Sequence, residues 1–240
     1  LQEGHKIFAL NKADGKIAWQ WGPDAYSSYQ DAYGTPSLVK AKNGVELVLA
    51  VPGEIWSFDA KKGNITWYAY TNVGAGRGNV SPSTITGGDA LYVFGGRPGS
   101  GLAVKLGGNG EVKESGKLWT SRNSPYVATP VYHEGHLYWM DRSGYAVCLN
   151  ASTGREAFRE RLKSSSRTPQ FYASPVVVAG KIISVSRNAG AFVLEAKPKF
   201  KQLAQNTFAS DRSVFNASPA VSNNRLFLRS DTHLYCVAGE

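Results

Sequence analysis

Short apolar runs separated by polar turns recur along the chain at a nearly constant period. Five of these runs follow a Ser/Thr-Pro pair, and successive prolines lie 44 to 48 residues apart. A period of about 40–50 residues built from short strands is typical of a β-propeller. The pattern therefore predicts an all-β fold of four-stranded blades, with one blade beginning near each of Pro36, Pro82, Pro130, Pro175 and Pro219.

Each repeat is predicted to hold four strands. A proline is tolerated at the first residue of a strand, where its missing N–H costs least. A second and a third apolar run follow, and the fourth run contains an aromatic residue, as in ITWYAY, KLWTS and EAFRER. Glycine- and asparagine-containing turns join the first strand to the second. The predicted turns are Asn43-Gly44, Gly87-Gly88, Glu134-Gly135, Ala179-Gly180 and Asn223-Asn224.

The link from the third strand to the fourth is the most specific part of the repeat. It reads FALNKADGKIAW, SFDAKKGNITW and CLNASTGREAF in three of the copies. The Asn or Asp can bond the turn backbone with its short side chain, and the glycine can take the left-handed position of the turn. The aromatic residue that follows is expected to pack between neighbouring blades, where a large ring buries much area. These structural docking residues are Trp19, Trp67, Trp119 and Phe158.

This pattern resembles the tryptophan-docking repeat of the pyrroloquinoline-quinone (PQQ)-like β-propeller superfamily. That superfamily includes the quinoprotein alcohol dehydrogenases and the non-enzymatic B-subunit lipoprotein of the outer-membrane β-barrel assembly machinery. The resemblance covers nearly the whole chain and is strong in three copies. It is degenerate over residues 106–119, which carry an insertion, and over residues 195–203, which have lost both the glycine and the tryptophan. It implies a location outside the cytoplasm, in the periplasm or cell envelope.

Residues 1–240 are expected to form a single propeller domain. Residues 5–21 supply a third and a fourth strand, and residues 219–238 supply a first, a second and a third. Together they hold one strand more than a blade, so we expect the chain to be the C-terminal portion of a ring of seven or eight blades. The alternative is a smaller closed ring with a spare strand. Any signal peptide would lie upstream of Leu1, and a lipid anchor there would attach the protein to a membrane.

Composition adds a charge and a redox argument. The net charge is +9 and the isoelectric point is near 9.5, which favours anionic partners, although ordinary solubility is the commoner reason for such a balance. No apolar run reaches the roughly 20 residues of a membrane span. Cys148 and Cys236 occupy equivalent third strands, and both are expected to be free, buried and apolar in role.

Arginines recur in register with the repeat. Strand alternation places the blade-to-blade linkers and the second-to-third-strand loops on one face, and eight of the twelve arginines fall there. Aromatic residues interleave with them, and the opposite face bears lysines, namely Lys12, Lys16, Lys42, Lys61 and Lys62. Arginine presents a planar fork suited to carboxylate or phosphate. The predicted partner-binding face comprises Arg77, Arg97, Arg122, Arg142, Arg167, Arg187, Arg212, Arg229, Tyr126, Phe171, Tyr172 and Phe215. The alternative is that each arginine pairs with a local carboxylate, from Asp31, Asp141, Asp211 or Asp231.

Catalytic chemistry is poorly supported by the sequence. The dehydrogenases of the superfamily place a vicinal disulfide beside the quinone, and this chain has no adjacent cysteines. His133 and His136 form a His-x-x-His pair at a predicted hairpin tip without a third ligand, so a solvated turn is expected rather than a metal site. No cofactor is expected; PQQ and Ca²⁺ belong only to the alternative in which the chain is a fragment of a quinoprotein dehydrogenase.

The resulting prediction is a non-catalytic scaffold that binds a protein partner or an anionic ligand in the cell envelope, with outer-membrane protein assembly as the specific role. No sequence-specific nucleic-acid binding is expected. A third alternative is an extracytoplasmic sensor or carbohydrate-associated binding domain. Repeats alone do not separate these functions, because a propeller works through the loops on its faces.

Overall fold

A computed structural model describes residues 2–3, 6–22, 32–41, 44–76, 78–96, 99–166, 168–208 and 210–238. These residues form β-strands, one short 3₁₀ turn at Glu114–Gly116, and no α-helix. The strands assemble into the four-stranded antiparallel sheets of a β-propeller, as the repeat predicted. The chain divides into two compact units, Leu1–Leu118 and Trp119–Glu240. No helix of the described part is long and apolar enough to cross a membrane.

The first unit holds two full repeats and part of another. Its first sheet has the order β1-β2-β3, and its second has the order β11-β7-β6-β5-β4. The third sheet has the order β12-β10-β9-β8, and β12 spans the division between the units. The strands are β1 Gln2–Glu3, β2 Lys6–Leu10, β3 Ile17–Trp21, β4 Ser37–Ala41, β5 Gly44–Val51, β6 Glu54–Asp59, β7 Ile65–Tyr70, β8 Ile85–Gly87, β9 Ala90–Gly95, β10 Ser100–Lys105, β11 Gly110–Glu111 and β12 Lys117–Ser121.

The second unit holds two complete four-stranded sheets and one of three strands. The orders are β13-β14-β15-β16, β17-β18-β19-β20 and β21-β22-β23. The strands are β13 Val131–His133, β14 His136–Met140, β15 Tyr145–Asn150, β16 Glu156–Arg161, β17 Val176–Val178, β18 Lys181–Ser186, β19 Gly190–Glu195, β20 Gln202–Asn206, β21 Ala220–Ser222, β22 Arg225–Arg229 and β23 Leu234–Ala238. Within each unit the first strands of neighbouring sheets touch, β4 with β8 and β13 with β17.

Four of the five repeat prolines lie directly before a first strand, as predicted. The exception is Pro82, which lies three residues before β8 begins at Ile85. The near-constant spacing of the prolines hides a two-residue offset between the units. Pro36 and Pro82 lie five residues before the last residue of their strands, whereas Pro130 and its two successors lie three residues before. A shift of two residues preserves which side chains face which side of the sheet, so the strands tolerate it.

The hydroxyl that precedes the proline ties neighbouring repeats together. The backbone N–H of Thr129 donates to Ser174 Oγ, and that of Ser174 donates to Ser218 Oγ, both over 2.9 Å. In the first unit the N–H of Thr35 donates to Ser83 Oγ over 2.9 Å, two residues further along the repeat. In the second unit the hydroxyl of the serine before the proline therefore accepts a sheet-to-sheet hydrogen bond, whereas in the first unit Ser83, which follows Pro82, accepts it.

Hairpin turns follow the predicted chemistry with one correction. The turns Glu134-Gly135, Ala179-Gly180 and Asn223-Asn224 have positive φ at both residues, which is the type I′ geometry. The predicted turn Gly87-Gly88 is wrong by one residue, because Gly87 pairs with Ala90 and leaves Gly88-Asp89 as the turn. Asn43 and Lys42 lie outside the described residues.

The Asx turns of the third-to-fourth link are confirmed. Asp59 Oδ1 accepts hydrogen bonds from the N–H groups of Lys61 and Lys62 at 2.8 and 2.9 Å, and Asn150 Oδ1 accepts from Ser152 and Thr153 at 3.1 Å each. The two backbone hydrogen bonds hold the pKa of Asp59 below its ordinary value of 3.8. Four of the links also carry a register shift at the equivalent place, immediately after Ala9, Ser57, Cys148 or Val193.

Two tryptophans dock on a glycine of the next repeat. A Cβ added to Gly63 would lie 2.6 Å from Cδ2 of Trp19, and one added to Gly154 would lie 2.6 Å from Cδ2 of Trp119. Each indole also donates to a backbone carbonyl of the same turn, over 3.1 Å for Trp19 and 2.8 Å for Trp119. Because both glycines have positive φ, the repeat needs glycine for the turn and for the close approach of the ring.

Trp67 docks differently because of the insertion in the following repeat. Its indole is fully buried and donates to Glu46 Oε2 over 2.8 Å, within its own sheet. The inserted residues form β11, which pairs in parallel with β7 as a fifth strand, and Val112 packs against the core cluster that contains Trp67. Phe158 packs against Phe200 at a centroid distance of 5.7 Å, in the repeat that lost the glycine and tryptophan.

The cysteines are both free, but only one is buried as predicted. Cys148 has no exposed surface, and burial raises the pKa of its thiol to about 12. Cys236 is exposed, so the prediction of burial is wrong for this residue. It occupies the equivalent position on β23, which forms the edge of its three-stranded sheet among the residues that the structure describes.

Candidate functional site

The arginines that the structure describes on the predicted face all belong to the second unit. Arg77, Arg97 and Arg167, together with Asp31, lie outside the described residues. Arg122 and Arg212 lie in linkers, and Arg142 and Arg187 occupy equivalent positions in the loops that join second strands to third strands. The prediction that Arg229 lies in a loop is wrong, because this residue is the last of β22 and pairs with Leu234.

Two of these arginines stack on tyrosines from the linkers. The guanidinium carbon of Arg142 lies 5.3 Å from the ring centroid of Tyr126, and that of Arg187 lies 4.4 Å from the ring centroid of Tyr172. The two tyrosine rings meet edge to face, with centroids 5.9 Å apart. We call these four residues the arginine–tyrosine row. Cation–π contact holds a guanidinium flat on a ring and leaves its edge available for hydrogen bonding.

The backbone of the row is unusual at Tyr126, whose φ is +79°. Bulky residues rarely adopt positive φ, and such strain persists where the surrounding structure fixes it, often at binding sites. The row brings together two linkers, which carry Tyr126 and Tyr172, and two loops, which carry Arg142 and Arg187. The sequence contained no signal for the positive φ, since an ordinary tyrosine occupies the position.

The structure removes two residues from the predicted face. Phe171 has no exposed surface and packs on Phe192 in a core cluster of the second unit. Phe215 is also buried, with its ring stacked on Phe208 at 5.1 Å. Phe171 and Phe215 therefore support the face from below rather than presenting rings to a partner.

A cavity of about 330 Å³ opens beside the row. Arg187 is a member of the arginine–tyrosine row and also lines this cavity. Its Nε atom is buried and has no hydrogen-bond partner among the described residues. Sequence reasoning missed the cavity and also Phe208, whose ring fills its apolar side between Phe215 and Tyr235. The main lining residues are Ser165, Arg187, Phe208, Asp211, Arg212 and Phe215.

Local carboxylates do not neutralise these arginines. Asp141 pairs with Arg159 and not with Arg142, and its other oxygen accepts the N–H groups of Ser143 and Tyr145 at 2.8 and 3.1 Å. Within the described residues, Arg122, Arg142, Arg187, Arg212 and Arg229 form no ion pair. None of these five arginines therefore pairs with Asp141, Asp211 or Asp231, the aspartates of that alternative that the structure describes.

Asp211, beside Arg212, is held by hydroxyl donors and lies 3.5 Å from Nδ1 of His233 through Oδ2. Its side chain is 2% exposed, and it accepts hydrogen bonds from Ser213 Oγ at 2.6 Å and from the hydroxyl of Tyr235 at 2.7 Å. These hydrogen bonds hold the pKa of Asp211 well below its ordinary value. The carboxylate stays ionised and fixes the linker at this end of the cavity.

The remaining predicted features lie elsewhere. Lys12, Lys16, Lys61 and Lys62 are exposed on third-to-fourth turns of the first unit. His133 and His136 face each other across the hairpin that Glu134 and Gly135 turn. Of the residues that the structure describes, no three His, Cys, Asp or Glu side chains group closely enough to hold a metal ion.

Comparison with known proteins gives one family. The family model described as outer membrane protein assembly factor BamB matches residues 1–124 and 111–199. BamB of Salmonella typhimurium is 25% identical over 197 residues, which are 79% of this chain and 45% of the relative. This chain thus spans a little under half of that relative's length.

Solved structures share the fold. A crystal structure of BamB from Moraxella catarrhalis matches with a TM-score of 0.69 and 15% identity, over 95% of this chain and 64% of that one. A europium-containing methanol dehydrogenase matches with a TM-score of 0.61 and 11% identity, over 94% and 58%. At these identities the likeness shows the propeller fold alone.

Proposed function

Because the chain belongs to the family of the outer membrane protein assembly factor BamB, we propose that it is a non-catalytic β-propeller scaffold that serves in the assembly of outer membrane proteins. The match of the family model to residues 1–124 and 111–199 is the observation that carries this proposal. The location proposed with it is the periplasmic side of the cell envelope. The chain, which spans 45% of its Salmonella relative, would supply part of a larger propeller ring.

The proposed contact surface for a protein partner is the arginine–tyrosine row. Stacked arginines and tyrosines are the residue types that contribute most to protein interfaces, because they bury large area and bond directionally. The positive charge of the row is not cancelled by the neighbouring aspartates, so an acidic partner would be attracted and its binding would weaken with salt. Arg122 and Arg212, which lie in linkers of the same unit, would extend this surface.

Deletion of the gene in its host tests the role in the envelope. The proposal expects less folded β-barrel protein in purified outer membranes and full rescue by the complete protein. An unchanged outer-membrane composition after deletion would refute the assembly role.

Charge reversal then tests the surface. The double variant Arg142→Glu with Arg187→Glu should rescue poorly, whereas Lys61→Glu with Lys62→Glu should rescue fully. The lysine pair is a matched control because it reverses two exposed charges on turns of the first unit. Equal rescue by both variants would remove the row from the proposal. Dye reduction by the purified protein after addition of PQQ and Ca²⁺ would instead favour the dehydrogenase alternative.

A further inference from the structure

We propose that the cavity beside Arg187 is a carboxylate-binding subsite that receives the side chain of an acidic segment of a protein partner. This inference rests on the proposed function only in taking a protein as the source of the carboxylate. The subsite is defined by Arg187, Arg212, Phe208 and Ser165 at the cavity walls.

Arg187 has the geometry of a preorganised carboxylate fork. Its guanidinium carbon lies 4.4 Å from the centroid of the Tyr172 ring, and this cation–π contact restrains the group. Its backbone is also anchored, since its N–H donates to Gln170 O over 2.8 Å and its carbonyl accepts from Phe215 over 3.3 Å. A guanidinium held in this way loses little freedom when it binds a carboxylate through two N–H groups.

The Nε of Arg187 points to a missing acceptor. A buried donor without a partner costs free energy, and most buried donors in native proteins are satisfied. Nε is buried and unpartnered among the described residues, in the arginine that also lines the cavity. The guanidinium that carries this donor belongs to a residue that lines the cavity, so a carboxylate bound there would accept from its N–H groups and compensate the charge.

The cavity suits a small anionic group with an apolar stem. Its volume of about 330 Å³ lies at the lower end of ligand pockets. Phe208 and Phe215 give it an apolar wall, and Arg212 adds a second cation. Asp211 is the one carboxylate among the lining residues, and its oxygens already accept from Ser213 and Tyr235. Within the described residues it forms no ion pair with Arg187.

The equivalent arginine in the preceding repeat provides an internal comparison. Arg142 stacks on Tyr126 at the longer distance of 5.3 Å and is exposed. It does not line the cavity beside Arg187. The two residues carry the same charge and neighbour the same kind of ring. A difference in the affinity lost when each is substituted therefore reports on the cavity and not on the charge.

The test is fluorescence anisotropy with purified protein and a capped, labelled peptide of alternating glutamate and serine. A peptide with glutamine in place of glutamate is the control ligand. Wild-type protein should bind only the glutamate peptide. Arg187→Gln should weaken binding about 10-fold or more, as expected for one lost charge-assisted pair. Arg187→Lys should weaken it nearly as much, because lysine keeps the charge but not the fork.

Further variants keep the result interpretable. Arg142→Gln should weaken binding only about threefold, through lost attraction at the surface, and Lys62→Gln should leave it unchanged. If Arg187→Gln unfolds, as judged by its melting temperature, Ser165→Tyr replaces it, because this exposed lining residue would block the cavity with its ring. That variant should also weaken binding about 10-fold.

Three results would overturn the subsite: equal binding of both peptides, full affinity in Arg187→Lys, or equal losses in Arg142→Gln and Arg187→Gln. These failures are separate from failure of the proposed function. A deletion strain with an outer-membrane defect and no peptide binding refutes only the subsite. Peptide binding with an unchanged outer membrane refutes only the assembly role.

Discussion

The two units form the same contact between a tryptophan and a glycine, and each also contains a repeat that has replaced it. In the first unit Trp19 lies on Gly63, and in the second Trp119 lies on Gly154, with the same 2.6 Å separation from a notional Cβ. The agreement between separate units shows that the contact belongs to the repeat and not to its surroundings. The flat indole can approach the turn only where the turn has no side chain.

The exceptions show two ways to do without the contact. The first unit places a fifth strand over Trp67 and turns its indole N–H to the buried Glu46, which also accepts from Ser57 over 2.9 Å. The second unit substitutes an edge-to-face pair of Phe158 and Phe200. Neighbouring sheets therefore pack against each other even where the tryptophan and the glycine are not both present.

The largest expected effect is on Trp67. Trp67→Ala should lower the free energy of unfolding by about 3–5 kcal/mol, because a fully buried aromatic side chain is lost and a cavity remains. Trp19→Ala should cost about 1–3 kcal/mol, since that ring is only half-buried. Urea denaturation of both variants measures the difference. A loss below about 1 kcal/mol at Trp67 would contradict the account of the insertion as a cover.

Glycine substitutions test the docking contact itself. Gly154→Ala should cost about 2–4 kcal/mol, because the added methyl combines a positive φ with a clash against Trp119. Gly15→Ala is the matched control: its φ of +71° is nearly the same, and nothing lies within 4 Å of the added atom. It should cost only about 1–2 kcal/mol. Equal costs in the two variants would mean that the ring yields freely and that the glycine serves the turn alone.

The smallest expected effect concerns acid stability and compares Asp59 with Asn150. The folded pKa of Asp59 is below 3.8, so the unfolded chain binds a proton more readily. Its contribution to stability is present above pH 3.8 and is lost as the pH falls through the lowered pKa. Asp59→Asn should weaken the pH dependence of the free energy of unfolding over that window. Asn150, at the equivalent turn of the second unit, is neutral and has no such pH dependence. A pH series of melting temperatures checks this, with Asp89→Asn as an exposed acidic control in a hairpin turn. An unchanged acid limb would count against the assigned hydrogen bonds.

Much of the fold could be predicted from local sequence. The Asn or Asp and the glycine of each link specify their turn through chemistry that acts over only a few residues. The period of the prolines predicted the four-stranded repeat, but it did not predict β1 or β11, which exist through pairing with a neighbouring strand. The offset of two residues at Pro36 and Pro82 could not be seen, because strand register depends on pairing with a neighbouring strand.

The candidate site divides in the same way. The sequence placed Arg142 and Arg187 on equivalent loops, since a repeat copies position. It did not distinguish Phe171, which is buried, from Tyr172 beside it, which receives Arg187. Burial of one neighbour and exposure of the other depend on how the linker enters the sheet. Nor could it predict that Asp141 would pair with Arg159 on β16 rather than with the adjacent Arg142.

The sequence by itself therefore determined the repeat, its turns and the residue types at the loops, because each depends on neighbours within the same hairpin. Only the tertiary structure decided that Cys236 is exposed while Cys148 is buried, and that Arg187 opens on a cavity while Arg142 does not. Those outcomes depend on which strand or linker packs beside the residue. Contacts between distant segments set burial and pairing, and a single repeat does not encode them.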